Sequence, residues 1–322
     1  MAATLDFWAA TITPFDEYGR LDLAPVRFQA QKLTNDGVVG AFVTGTTGEF
    51  ASLSSDERKA IVEEWRDVRH EGLEIGVQVG HTELAQAQQL AAHAESNGAD
   101  LIAAIAPFYG ETSSIDRIVS FLADVAAAAP ATPFCFYHIP SMTGSSHRPS
   151  DVMASAIDKI PTLQAVKFTD EDLMEFDRVR LTAPHVRVFF GRDELLPAGM
   201  AFGADGVIGS LYNGLAPIGI QVARAFSSGD TRAAFSLHAP FREVAAAAGR
   251  HGGLGFVRQL MNELGPDSGP GRLPWGPLND ADQRVARELA VRLREPIENA
   301  RRELADGRGA SLPSNRAESH VD

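Results

Sequence analysis

Only one cysteine, Cys135, occurs among the 322 residues, so no internal disulfide can form. The thiol lies in the apolar run Phe134-Cys135-Phe136-Tyr137 and is expected to pack in a core rather than to act as a nucleophile. Long apolar stretches are also missing. No run approaches the roughly 20 residues needed to cross a bilayer, and the segment from Met1 to Ala10 lacks the basic start of a secretory signal. A cytoplasmic protein is the expectation. Positive charge is scarce too: 29 Lys and Arg stand against 42 Asp and Glu, for a net charge of -13. That balance argues against nucleic acid or an anionic membrane as the main partner, yet a locally positive pocket could still take a small anion. There is no H-x-x-x-H or clustered Cys/His spacing, so no metal is expected. No G-x-G-x-x-G follows an early strand, so dinucleotide binding has little support.

Lysine is the scarcest charged residue. Of the 29 cationic side chains only Lys32, Lys59, Lys159 and Lys167 are lysine. Three of these occupy polar, helix-like contexts. Lys167 sits instead between Val166 and Phe168 in Leu163-Gln-Ala-Val-Lys-Phe-Thr-Asp170, which reads as a buried strand. An ammonium is costly there and a neutral amine is not, because burial penalises the charged form. A neutral, positioned amine is suited to forming a Schiff base with a carbonyl compound. No cofactor is expected where such an imine supplies the electron sink. The structural alternative is a lysine whose head snorkels out at the strand end.

Short apolar runs alternate with helical patterns from residue 7 onward, the signature of βαβ units and a parallel sheet. Strands are expected at Phe7 to Thr13, Gly40 to Thr44, Glu74 to Val79, Asp100 to Ala106, Pro133 to His138, Leu163 to Phe168, Val186 to Phe190 and Gly206 to Ile208. Eight such units without a break in composition favour a single (β/α)8 barrel, a TIM barrel, over residues 1–215. Further helical patterns predict a C-terminal helical region over 216–300 packed on the barrel. The polar stretch 301–322 reads as a mobile tail.

In such a barrel the chemistry belongs at the C-terminal ends of the strands. Reading those positions gives Gly45-Thr46-Thr47-Gly48-Glu49, Pro107-Phe108-Tyr109, Tyr137-His138, Lys167 with Thr169, Gly191-Arg192-Asp193-Glu194 and Gly209-Ser210. Strand alternation turns Lys167, Ala165 and Thr169 inward, with Cys135 and Tyr137 beside them, and sends Phe134, Phe136, Val166 and Phe168 out toward the helices. The Thr46/Thr47 loop offers N–H groups and two hydroxyls for a carboxylate, or is an ordinary turn. Tyr137 can carry a proton, or is a buried structural phenol. Asp193 and Glu194 can bond substrate hydroxyls, or are the acidic first turn of a helix. His138 is assigned no role.

Together these residues resemble the pyruvate-dependent Schiff-base aldolase family that includes dihydrodipicolinate synthase and N-acetylneuraminate lyase. The likeness runs from about Phe7 to Leu278 and is carried by Gly45-Thr46-Thr47-Gly48-Glu49, Tyr137-His-Ile-Pro-Ser-Met-Thr-Gly144, Val166-Lys167-Phe-Thr169, Gly203-Ala-Asp-Gly-Val-Ile-Gly-Ser210 and Arg272-Leu-Pro-Trp-Gly-Pro-Leu278. It implies that Lys167 is the Schiff-base lysine, Tyr137 the proton-transfer residue, and Thr46 and Thr47 the carboxylate holders. Tyr109 would reach the site of a neighbouring subunit in a homotetramer. Within the family Met142 and Phe168 stand where the biosynthetic synthases usually carry arginine and glutamate, and Lys-Phe-Thr with Gly-x-Asp-Glu looks like the sialic acid lyases. By that likeness Thr169, Gly191, Asp193, Glu194 and Ser210 contact a polyhydroxylated keto acid. Leu211 and Arg192 depart from the lyase pattern, which keeps a 2-keto-3-deoxy sugar acid aldolase or dehydratase, or a dihydrodipicolinate synthase-like enzyme, as alternatives. A non-catalytic ligand-binding barrel is the rival from another class.

Overall fold

A computed structural model describes residues 5–109 and 114–307. Its strands are β1 (Asp6–Ala10), β2 (Gly40–Val43), β3 (Glu74–Gln78), β4 (Leu101–Ile105), β5 (Phe134–His138), β6 (Leu163–Phe168), β7 (Arg187–Phe190) and β8 (Gly206–Gly209). Every neighbouring pair is parallel, and β8 returns to β1, so the sheet closes into an eight-stranded barrel. This is the (β/α)8 architecture expected from the alternation of short apolar runs with helical patterns.

The helices among the described residues are α1 (Val26–Asn35), α2 (Ser55–Val68), α3 (Leu84–Ser96), α4 (Ile115–Ala127), α5 (Pro140–Thr143), α6 (Pro149–Ala156), α7 (Leu173–Thr182), α8 (Leu196–Ala201), α9 (Tyr212–Ser227), α10 (Thr231–Leu237), α11 (Ala239–Arg250), α12 (Leu254–Leu264) and α13 (Asp280–Gly307). Local chemistry sets several of their ends. Ser54 and Glu57 form a reciprocal capping box at the start of α2. The Asp172 and Asp230 carboxylates accept backbone N–H bonds where α7 and α10 begin.

Two boundaries differ from the expected ones. Residue 215 falls inside α9, which packs on β1 through an edge-on contact of Phe7 and Tyr212 at 5.2 Å and so serves as the barrel's eighth helix. Helix α13 runs past residue 300, because Leu293, Ile297, Ala300 and Leu304 continue one buried stripe at helical spacing. Residues 308–322, the rest of the expected tail, lie outside the described residues.

Buried side chains divide into two clusters. A large outer one packs the helices onto the barrel and holds Phe134, Phe136, Val166 and Phe168. A small inner one holds Trp8, Phe42, Cys135, Tyr137, Ala165, Phe189 and Ile208. Trp8 plugs the barrel floor only because Gly40 and Gly76 lie beneath its ring. A Cβ at either would fall 2.1 Å and 2.9 Å from indole carbons. The plug gives the mouth above it a solid base.

Candidate active site

Strands β5 and β6 bring the lysine and the phenol together. Tyr137 and Lys167 are in-register partners across the two strands, and both point into the barrel. The Lys167 Nζ lies 4.0 Å from the centroid of the Tyr137 ring and 4.5 Å from that of Phe42. The lysine is 4% exposed and Tyr137 is 2% exposed, so the amine stands inside the barrel mouth and does not snorkel to the surface. Cys135, one step below, is fully buried, and burial pushes its thiol up to about 12. It is a packing residue.

Above this pair opens a cavity of about 250 Å³. Thr46, Thr47, Tyr137, Lys167, Thr169, Gly191, Asp193, Glu194 and Ser210 all line it, with Arg192, Met142 and Leu211. Tyr109 does not. It follows β4, is 91% exposed, and immediately precedes residues 110–113, which lie outside the described residues. A larger cavity of about 390 Å³ sits among the C-terminal helices, but no amine, thiol, hydroxyl or imidazole lines it. The chemistry belongs to the smaller one.

The β2 loop presents its hydroxyls to the lysine side of the cavity. Thr46 Oγ1 shares a 3.1 Å hydrogen bond with the Tyr137 hydroxyl, and Thr47 Oγ1 shares one of 2.6 Å with Ser210 Oγ. Three other buried polar atoms of the lining residues have no partner among the described residues: Thr169 Oγ1, Arg192 Nε and Asp193 Oδ1. Leaving such an atom unsatisfied costs about 1–3 kcal/mol. A Cβ at Gly209 would lie 1.6 Å from Asp193 Oδ1, so glycine is what lets the carboxyl approach β8. Asp193 Oδ2 accepts the Leu211 N–H at 2.8 Å. Burial pushes this carboxyl up to about 7, against the opposing pull of the Leu211 bond and with reinforcement from Glu194. Arg192 bridges Glu171 at 2.5 Å and Glu194 at 3.5 Å, tying the rims after β6 and β7 together.

Three residues that hold the site did not stand out in the sequence. His238, between α10 and α11, is 1% exposed, and its Nε2 lies 2.9 Å from the Asp193 carbonyl while Arg242 approaches Nδ1 at 3.0 Å. Burial lowers its pKa, so it sits as a neutral ring that donates from Nε2 and accepts at Nδ1. Buried Arg58 on α2 donates to the Gly80 and Gln78 carbonyls at the end of β3. Arg258 on α12 reaches Glu49 of the β2 loop. His138 packs between Phe136 and Phe168 on the outer side of β5, away from the cavity.

The sequence profile of the Dihydrodipicolinate synthetase family matches residues 4–292. N-acetylneuraminate lyase of Rattus norvegicus is 39% identical over 273 residues, covering 83% of this chain and 85% of that protein. The Homo sapiens N-acetylneuraminate lyase is 38% identical over 272 residues, again covering 83% and 85%. Among solved structures, the Proteus mirabilis N-acetylneuraminate lyase superimposes with a TM-score of 0.86 at 30% identity, covering 89% of this chain and 98% of that one.

Proposed function

We infer the activity from one premise: this chain belongs to the dihydrodipicolinate synthetase family. It is a Schiff-base lyase, an aldolase that cleaves a 2-keto sugar acid, N-acetylneuraminate, to pyruvate and N-acetylmannosamine. The observation that carries the reading is the in-register pair of Lys167 and Tyr137, buried side by side beneath a hydroxyl-lined cavity.

Each residue takes a role that its position supports. The Lys167 amine attacks the C2 carbonyl of the open-chain substrate, and the Tyr137 phenol gives its proton to the departing hydroxyl, so that loss of water leaves a protonated imine beside a phenolate. That imine accepts the electron pair of the breaking C3–C4 bond, while the proton of the C4 hydroxyl passes to the Tyr137 phenolate oxygen and restores the phenol. The aldehyde sugar departs. Proton return to C3 of the enamine and hydrolysis of the imine then release pyruvate and regenerate the amine. Thr46 and Thr47, with the N–H groups of their loop, hold the carboxylate, and the Thr46 bond to Tyr137 keeps the phenol beside the reacting centre. Thr169, Gly191, Asp193, Glu194 and Ser210 bind the polyol. The unsatisfied Thr169 hydroxyl and Asp193 oxygen support that assignment.

We further propose that the enzyme is a cytoplasmic homotetramer in which Tyr109 completes a neighbour's site. The almost full exposure of Tyr109 beside the mouth supports this reading. No helix among the described residues is long and apolar enough to cross a membrane. Pyruvate release is the test. Turnover of N-acetylneuraminate well above that of 2-keto-3-deoxygluconate is expected. The reverse ranking would move the enzyme to the 2-keto-3-deoxy sugar acid aldolases, and no turnover across a keto acid panel would leave a binding barrel.

A further inference from the structure

The loop that carries Thr46 and Thr47 is held in a conformation the chain does not favour by itself. Thr44 and Glu49, with φ of 51° and 56°, are the non-glycine residues in the left-handed region among the described residues, and they bracket this loop. Such backbone costs on the order of 1–3 kcal/mol per residue and persists only where the surroundings fix it. On the barrel side Thr44 Oγ1 donates to the Gln78 carbonyl at 2.9 Å, and Thr13 Oγ1 to the Gly48 carbonyl at 2.7 Å.

The other end is fixed from the far part of the chain. Glu49 is 4% exposed, and its Oε1 receives Arg258 Nε at 2.8 Å and Nη2 at 2.7 Å. Its Oε2 accepts the Arg272 N–H at 3.0 Å. Arg258, itself 4% exposed, spends its remaining donors on the carbonyls of Thr13 at 2.8 Å, Ser268 at 3.1 Å and Gly269 at 3.4 Å. It therefore bonds Glu49 together with the stretch after β1 that also grips Gly48. A buried ion pair adds little net stability over apolar packing, but it fixes a geometry, and removing one partner strands the other. The expense is better explained by what the loop must do than by stability.

We propose that Arg258 is a positioning residue for the carboxylate cradle: from helix α12 it locks Glu49, and through it sets Thr46 and Thr47 where the keto acid carboxylate docks. The C-terminal helices thus shape the site rather than only cover it. This rests on the imine-forming reading above.

The test compares two ketones with the whole enzyme, pyruvate and its methyl ester, by borohydride trapping at Lys167 over a range of concentrations. With Arg258→Gln the half-saturating pyruvate concentration should rise about tenfold or more, because a small displacement of a docking group is costly in affinity. The trapped fraction at saturation should stay near wild type, and the methyl ester curve should move less than twofold. Arg258→Lys keeps a buried cation and guards against a misfolded Gln variant; it should show the same selectivity with a smaller shift. Equal shifts for both ketones, or a lowered melting temperature with an unchanged pyruvate curve, would overturn the proposal. If wild type traps no pyruvate, the imine reading fails instead, which is a separable outcome.

Discussion

Replacing Tyr137 with phenylalanine removes one oxygen and leaves the ring that packs edge-on against Phe42 at 5.9 Å and below the Lys167 amine at 4.0 Å. The structural loss is a single 3.1 Å hydrogen bond to Thr46, worth about 1 kcal/mol, so the melting temperature should fall by only about 2–4 °C. The chemical loss is larger. Withdrawing a positioned proton carrier costs about 10²–10⁴ in rate, or about 3–5 kcal/mol of barrier. Stopped assays of pyruvate release should therefore show kcat for Tyr137→Phe reduced at least a hundredfold in a protein that still folds. Thr46→Val supplies the control, since it deletes the same hydrogen bond from the other side and keeps the phenol. Its defect should appear mainly in KM, through the carboxylate. A kcat for Tyr137→Phe within threefold of wild type would refute proton transfer by the phenol. Equal kcat losses in both variants would reduce Tyr137 to a support for Thr46.

Other outcomes follow from the far rim. Burial lifts the Asp193 carboxyl from 3.8 to about 7, so the folded chain keeps a proton that the unfolded chain has already lost between those values. Stability falls as pH rises through that window, by about 4 kcal/mol once pH passes 7. Asp193→Asn should remove this decline in thermal melts between pH 4 and 8 and weaken sugar binding, whereas matching slopes in both proteins would contradict it. Gly209→Ala forces a Cβ to within 1.6 Å of Asp193 Oδ1 and should destabilise by about 1–3 kcal/mol with a raised KM for the sugar acid. Unchanged melting and KM would show that the carboxyl does not sit against β8.

Much of the barrel could be read because its signals are local. The order Phe134-Cys135-Phe136-Tyr137 alternates large outward and inward side chains with a period of two, and one lysine interrupts an apolar strand. Helices α5, α6 and α8 are 4, 8 and 6 residues long, too short for a helical period to declare itself. The supports of the site were hidden for another reason. His238 acts on a backbone carbonyl 45 positions away, and Arg258 on a carboxylate 209 positions away, so no spacing in the sequence links them. One signal was available for Arg258. It stands on the buried stripe of α12 among Phe256, Val257, Leu260 and Met261, and a cation on an apolar face poses the same question there as Lys167 does in β6.

Borohydride reduction of the enzyme in the presence of pyruvate, followed by peptide mass mapping, tests the central claim most directly. The expected product is a single pyruvyl adduct on the peptide that contains Lys167, with Lys32, Lys59 and Lys159 unmodified. An adduct on one of those three, or none at saturating pyruvate, would contradict an imine at the barrel mouth.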